Sequence, residues 1–190
     1  MRKTLGLLCA AAMLLPIGVI TANAAGGAAA TPTCGATKGT AKFTPALPKI
    51  TNPPSKAKKV LSKLTATGTL SGCAGGGVTG GSVKFTQTSK PTPGNCSTLA
   101  APSKTSKGTI GTLVITWAGG KGTSTATAFT VKQTAAIVDA TTTGKITSGL
   151  FAGKTITGTT TYTLPKGACS TADLSTLSYT NKKGTKFVIK

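Results

Sequence analysis

Apolar and polar residues alternate along most of this chain, at the period of a strand with one buried face. The plainest case lies between Lys107 and Lys132. Leu113, Ile115 and Trp117 alternate with Val114 and Thr116, a turn follows at Gly119-Gly120-Lys121-Gly122, and Phe129 and Val131 then alternate with Ala128 and Thr130. This pattern predicts a β-hairpin at the centre of a domain. Upstream, Ala41, Phe43 and Leu47 oppose Thr40, Lys42 and Thr44, and Pro45 inside that run points to an edge strand. Val60, Leu64, Ala66 and Leu70 oppose Lys63, Thr65, Thr67 and Thr69, and a returning strand over 78–88 turns Val83 and Phe85 inward. Two more strands are expected at about 143–149 and 154–164, with Ile156 and Tyr162 inward, and a last one over 185–190. The stretches 48–58, 89–106 and 165–182 read as loops, the last with one helical turn near Thr171–Leu174. Residues 135–139 read as an irregular crossover. The expected class is all-β: one β-sandwich or flattened barrel of roughly seven to nine mostly antiparallel strands.

Parts of the pattern recur. Thr67-Gly68-Thr69-Leu70 resembles Thr143-Gly144-Lys145-Ile146, and Val78 to Phe85 resembles Ile156 to Tyr162. Cys96-Ser97-Thr98 matches Cys169-Ser170-Thr171, and Lys107-Gly108-Thr109 matches Lys183-Gly184-Thr185. Two repeats, about 60–118 and 136–190, would pack with pseudo-two-fold symmetry around the 107–132 hairpin.

The first residues follow a different logic. Arg2 and Lys3 precede an apolar run from Leu5 to Ile20, and Ala22-Asn23-Ala24 follows. That order describes a secretory signal peptide over 1–24, cut after Ala24, with no membrane span left after cleavage. A flexible lead-in over 25–37 and a β-domain over 38–190 complete the expected organisation. Four cysteines remain beyond the leader: Cys34, Cys73, Cys96 and Cys169. In an exported chain an even count indicates two disulfides, with three connectivities open. The repeat puts Cys96 and Cys169 at equivalent places, which selects Cys96–Cys169 and leaves Cys34–Cys73.

The order of these motifs resembles a family. A strand ending Leu70-Ser71-Gly72-Cys73 is followed by Cys96-Ser97-Thr98-Leu99 and Ile115-Thr116-Trp117. Gly149-Leu150-Phe151-Ala152-Gly153 and Ile156-Thr157-Gly158 come later. Over most of 34–163 this is similar to a group of exported β-rich proteins of actinobacteria. The resemblance implies export and a β-fold, and it brings no activity and no site residue.

Composition excludes most catalysis. Beyond residue 24 the chain has no His, Glu, Arg or Met, and its two acidic residues, Asp139 and Asp173, lie 34 apart. No His-dependent triad or dyad can be assembled, no carboxylate-rich metal site exists, and no CxxC pair suggests zinc. The protein is expected to be no enzyme, with no cofactor and no metal. Gly75-Gly76-Gly77 and Gly119 to Gly122 read as turns before anion cradles. Most aromatic residues sit at core positions; Trp117, at a strand end beside a turn, is the one candidate for a binding contact.

Lysine is the remaining signal. Beyond the leader, twenty lysines face two aspartates, a net charge of +18. Lys56, Lys58, Lys59 and Lys63 form one candidate anion-binding cluster, and Lys182, Lys183, Lys186 and Lys190 a second. Such a surface draws polyanions by counterion release, and lysine without arginine disfavours bidentate, sequence-specific reading. The expected function is a secreted, non-catalytic β-domain, extracellular or held at the envelope, with weak non-specific affinity for an anionic cell-wall polymer or other polyanion. The alternative is a secreted scaffold that presents loops to an unknown protein partner, as an inhibitor or toxin-like factor would.

Overall fold

A computed structural model describes residues 30–50, 58–91, 93–96, 105–108, 110–133 and 139–190. The leader and Lys56 lie outside the described residues, as does the expected crossover apart from Asp139.

Eight antiparallel staves close into an up-and-down barrel, each next to its neighbour in chain order. They are β1 (Thr33–Leu47), β3 (Lys63–Ala74), β4 (Gly81–Gln87), β7 (Gly111–Trp117), β8 (Thr123–Gln133), β9 (Asp139–Gly149), β10 (Thr155–Thr163), and β11 (Leu174–Asn181) continued by β12 (Phe187–Ile189). The ring closes because β1 pairs with β3 on one side and with β11 and β12 on the other. A short β6 (Thr105–Gly108) extends the β7 stave along β8, and β2 (Val60–Leu61) pairs with β5 (Pro93–Gly94) outside the ring. Of the two expected architectures the barrel forms, and each of its eight staves is paired on both sides among the described residues. No helix among the described residues is long and apolar enough to cross a membrane.

Three local expectations change. β1 is no edge strand: it is paired on both sides, and Pro45 falls where its ladder to β11 is interrupted between Lys42 and Leu47. The missing N–H of proline therefore costs no ladder bond to β11. β1 also starts at Thr33, so residues 33–37 are strand and not lead-in. Finally, β11 occupies part of the stretch expected as a loop. Its inward residues Leu174, Leu177 and Tyr179 are spaced three and then two apart, and that slip hides the period-two pattern.

The barrel has two unlike ends. At the turn end lie the tight connections 75–80, 118–122 and 150–154. Most connections at the other, loop end are longer: 48–62, 88–110 and 164–173. Leu70, Ile115, Ile146, Ile156 and Ile189 fill the bore toward the turn end, and Trp117, only 2% exposed, plugs it. Trp117 Nε1 donates to Ser124 Oγ at 2.8 Å, and Ser124 Oγ in turn bonds the Leu150 carbonyl. Phe151 meets the indole edge-on with ring centres 5.5 Å apart. Gly76 makes room for it, since a Cβ there would stand 2.6 Å from the Phe151 ring. The disulfides divide between the ends. Cys34–Cys73 joins directly opposed residues of β1 and β3 at the turn end. Cys96–Cys169 ties two loops over the far end of β1, where Leu47, Leu174 and Leu177 form a second, smaller core. Both bonds are the expected pairs.

The segments noted as similar in sequence occupy opposite arcs of the ring. β3, β4 and the β6–β7 stave make one arc; β9, β10 and the β11–β12 stave make the other, with the same strand senses.

Candidate functional site

Outward positions carry the lysines. Every lysine whose side chain is described is exposed. Cross-strand registry gathers some of them in a way the linear clusters do not show. Lys38 and Lys42 on β1 lie opposite Thr69 and Thr65 of β3, Lys63 lies opposite Thr44, and Lys84 of β4 lies opposite Thr67. Lys58 and Lys59 lead into β2, just ahead of β3. The first cluster thus joins a basic, threonine-rich face on β1, β3 and β4. The second cluster divides. Lys182, Lys183 and Lys186 sit on the excursion between β11 and β12, on the other flank of β1, while Lys190 ends the chain at the turn end.

Little acid offsets this charge. Lys182 Nζ donates to Asp139 Oδ2 at 2.8 Å and the Thr161 hydroxyl to Oδ1 at 2.6 Å. The Lys182 hydrogen bond, then the Thr161 bond, hold the Asp139 carboxyl below its ordinary range. Asp173 accepts the backbone N–H of Lys49 at 2.9 Å. Each aspartate is thus engaged by its own partners. No group of three or more metal-ligating side chains occurs among the described residues.

Inside the barrel the loop-end half of the bore is hollow. A cavity of about 540 Å³ is lined by inward residues of every stave. An eight-stranded barrel has a bore that large side chains just fill, or that small ones leave open for one small ligand. Here Ala41, Ala66, Ala140, Gly158, Thr142 and Thr160 take positions that elsewhere carry isoleucine or leucine. The walls differ in character. β4, β7 and β8 supply Val83, Phe85, Leu113, Phe129 and Val131, whereas β1, β9, β10 and β11 mix Ala41, Phe43, Ala140 and Leu177 with the hydroxyls of Thr37, Thr142, Thr160 and Tyr179.

Tyr179 borders this space, and the hydroxyl end of its ring is seated against the β1–β3 wall. Gly39 and Gly68 face each other across β1 and β3, and a Cβ on either would come within about 2.5 Å of the Tyr179 hydroxyl. The two glycines form the recess that accepts the ring. Burial, then the neighbouring Tyr162, push the Tyr179 phenol up to about 12, so it stays neutral. Thr37 is 8% exposed, and its hydroxyl has no hydrogen-bond partner from the protein among the described residues. At the loop end Gln87 spans the lip: its Oε1 accepts from Leu64 N at 3.1 Å and its amide donates toward Ser89 at 3.4 Å. Exposed Lys90 stands beside it on the rim.

Trp117, the expected binding contact, belongs instead to the plug. Its only polar atom is consumed by Ser124, and its ring is out of reach of solvent. Gly75 to Gly77 and Gly119 to Gly122 are turns. Thr37, Tyr179 and the hollow were not foreseen. The signal for them was present in small residues at inward positions of otherwise strongly patterned strands.

No family model matches the chain, and neither a curated protein nor a solved structure matches it.

Proposed function

We propose that the protein is an exported, non-catalytic barrel that holds to anionic polymers, such as phosphate-rich cell-wall polymers, through its lysine-covered exterior. The observation that carries this reading is the flank of β1. Lys38, Lys42, Lys63 and Lys84 project from three adjacent strands beside Lys58 and Lys59; neither aspartate lies on those strands, and Asp173 approaches the group only at Lys58 and the end of β1. Several phosphates of one chain would be neutralised together there, with release of their counterions. Lysine ammonium groups act as hydrated point charges, so the contact would follow charge density and not sequence. The two disulfides fit an oxidising compartment.

The experiment is retention of the mature protein on polyphosphate or heparin columns across a salt series. Elution is expected above physiological ionic strength, with affinity falling by orders of magnitude between about 50 and 200 mM salt. Replacing Lys56, Lys58, Lys59 and Lys63 with Gln should flatten that dependence with the circular-dichroism spectrum unchanged. Elution below physiological salt, or an unchanged slope in the quadruple variant, would reduce the lysines to solubilising charge. Salt-insensitive, stoichiometric capture of a single protein would replace this reading with that of a protein-binding scaffold.

A further inference from the structure

The bore of the barrel supports a second, independent site. Its volume of about 540 Å³ lies within the range of about 300–1,000 Å³ usual for small-molecule pockets. It also opens toward the loop end, where the half-buried rings of Phe43, Phe85 and Tyr162 and exposed Lys90 all border it. The interior sets the chemistry of an occupant. Among the described residues no charged side chain other than rim Lys90 lines the cavity, so an ion taken deep inside would go unpaired at high cost. The β4, β7 and β8 wall offers hydrocarbon and aromatic surface. Opposite it, Thr37 presents a hydroxyl that is more than nine-tenths buried and that no group among the described residues serves. A buried polar atom of that kind requires a partner from water or from a ligand.

We propose that the lumen above the Trp117 plug binds one neutral, largely apolar molecule carrying a hydrogen-bonding oxygen. The apolar body lies against Val83, Phe85 and Phe129, and the oxygen turns to Thr37. The glycine recess that keeps the Tyr179 ring against the wall preserves the space the molecule occupies.

The test uses the mature protein with both disulfides intact. N-phenyl-1-naphthylamine, a neutral fluorescent probe, is titrated in and then displaced by 2-naphthol or by naphthalene, which differ by one hydroxyl. Saturable one-to-one binding is expected, with 2-naphthol about tenfold the better competitor although water holds it more strongly. Thr37→Val should abolish that preference and leave naphthalene unchanged. Ala66→Phe, which fills the bore, should weaken every competitor at least tenfold. Binding should not change between low and high salt, which separates this site from the lysine exterior. Three results would overturn the proposal: no saturable probe binding by the folded protein, a naphthol preference that survives Thr37→Val, or unchanged binding in folded Ala66→Phe. Should Ala66→Phe fail to fold, the Thr37→Val comparison still decides.

Discussion

The two halves of the bore are built from the same staves with the same inward–outward alternation, yet one is packed solid and the other is hollow. Toward the turn end the inward positions hold Leu70, Ile115, Ile146, Ile156 and Ile189 around Trp117. Toward the loop end small residues interrupt the large ones: Ala41, Ala66, Ala140, Gly158 and three threonines stand among Phe43, Leu64, Phe85 and Leu113. β9 shows the change within one strand: Ala140, Thr142, Gly144 and Ile146 point inward in succession, from hollow to filled. Alternation decides which face of a strand is buried. It says nothing about whether the buried face finds a partner. Packing therefore concentrates in the turn-end half and in the small Leu47, Leu174 and Leu177 core over the end of β1, and the bore between them keeps the space that the proposed ligand would take.

The sharpest way to break that contrast is to truncate one aliphatic residue in each half. Ile146 is fully buried and touched on all sides, so Ile146→Ala opens a cavity in a close-packed core. It should cost about 3 kcal/mol. Val83 is half-buried, resting on the turn-end core on one side and bordering empty space on the other, so Val83→Ala mainly enlarges the hollow. That change should cost about 1 kcal/mol or less, since little contact is lost. Urea unfolding of the two variants measures both. Equal losses would mean that the hollow half contributes to stability as a packed core does.

A smaller effect, opposite in sign, is expected at Thr37. A buried hydroxyl without a protein partner is destabilising, and valine has nearly the same shape. Thr37→Val should stabilise the ligand-free protein by about 1 kcal/mol, a rise of about 2–4 °C in melting temperature. The same substitution should impair binding in the lumen, so stability and function trade against each other at one atom. A loss of stability would show that the hydroxyl is served after all.

The contrast also explains what was legible in the sequence. Phe43, Leu64, Leu70, Phe85, Leu113, Ile115, Phe129, Ile156 and Tyr162 all read as inward, and all line the bore or its core. Period two is a local property of a strand, and these strands display it. β11 was missed because its inward residues slip by one, and β1 read as an edge because Pro45 declares a missing donor without saying which neighbour lacks it. The hollow was illegible for a different reason. Whether Ala66 faces a leucine or a void depends on residues across the barrel, far away in the chain. Tyr179 illustrates this most clearly: alone it reads as core filler, and only the cross-strand pair Gly39 and Gly68 lays it against the wall. The lysine clusters were legible as charge, but the contribution of Lys38, Lys42 and Lys84 required the strand registry.

The smallest effect expected near neutrality tests that placement of Tyr179. Its phenol is raised to about 12 in the folded protein, first by burial and then by Tyr162, against an ordinary value near 10. The folded state therefore holds the proton more tightly than the unfolded chain. The stabilisation this provides is complete below about pH 10 and is lost as pH rises from 10 toward 12, because the unfolded phenol ionises first. Tyr179→Phe removes the term, so the stability difference between the two proteins should be constant up to about pH 10 and then shift in favour of the variant. Repulsion among the lysines changes in the same alkaline range, but alike in both proteins, and the difference isolates the phenol. The chain has only two tyrosines, so the phenolate absorbance missing from the variant belongs to residue 179. If that absorbance titrates near 10, the phenol reaches solvent and the ring is not held in the glycine recess.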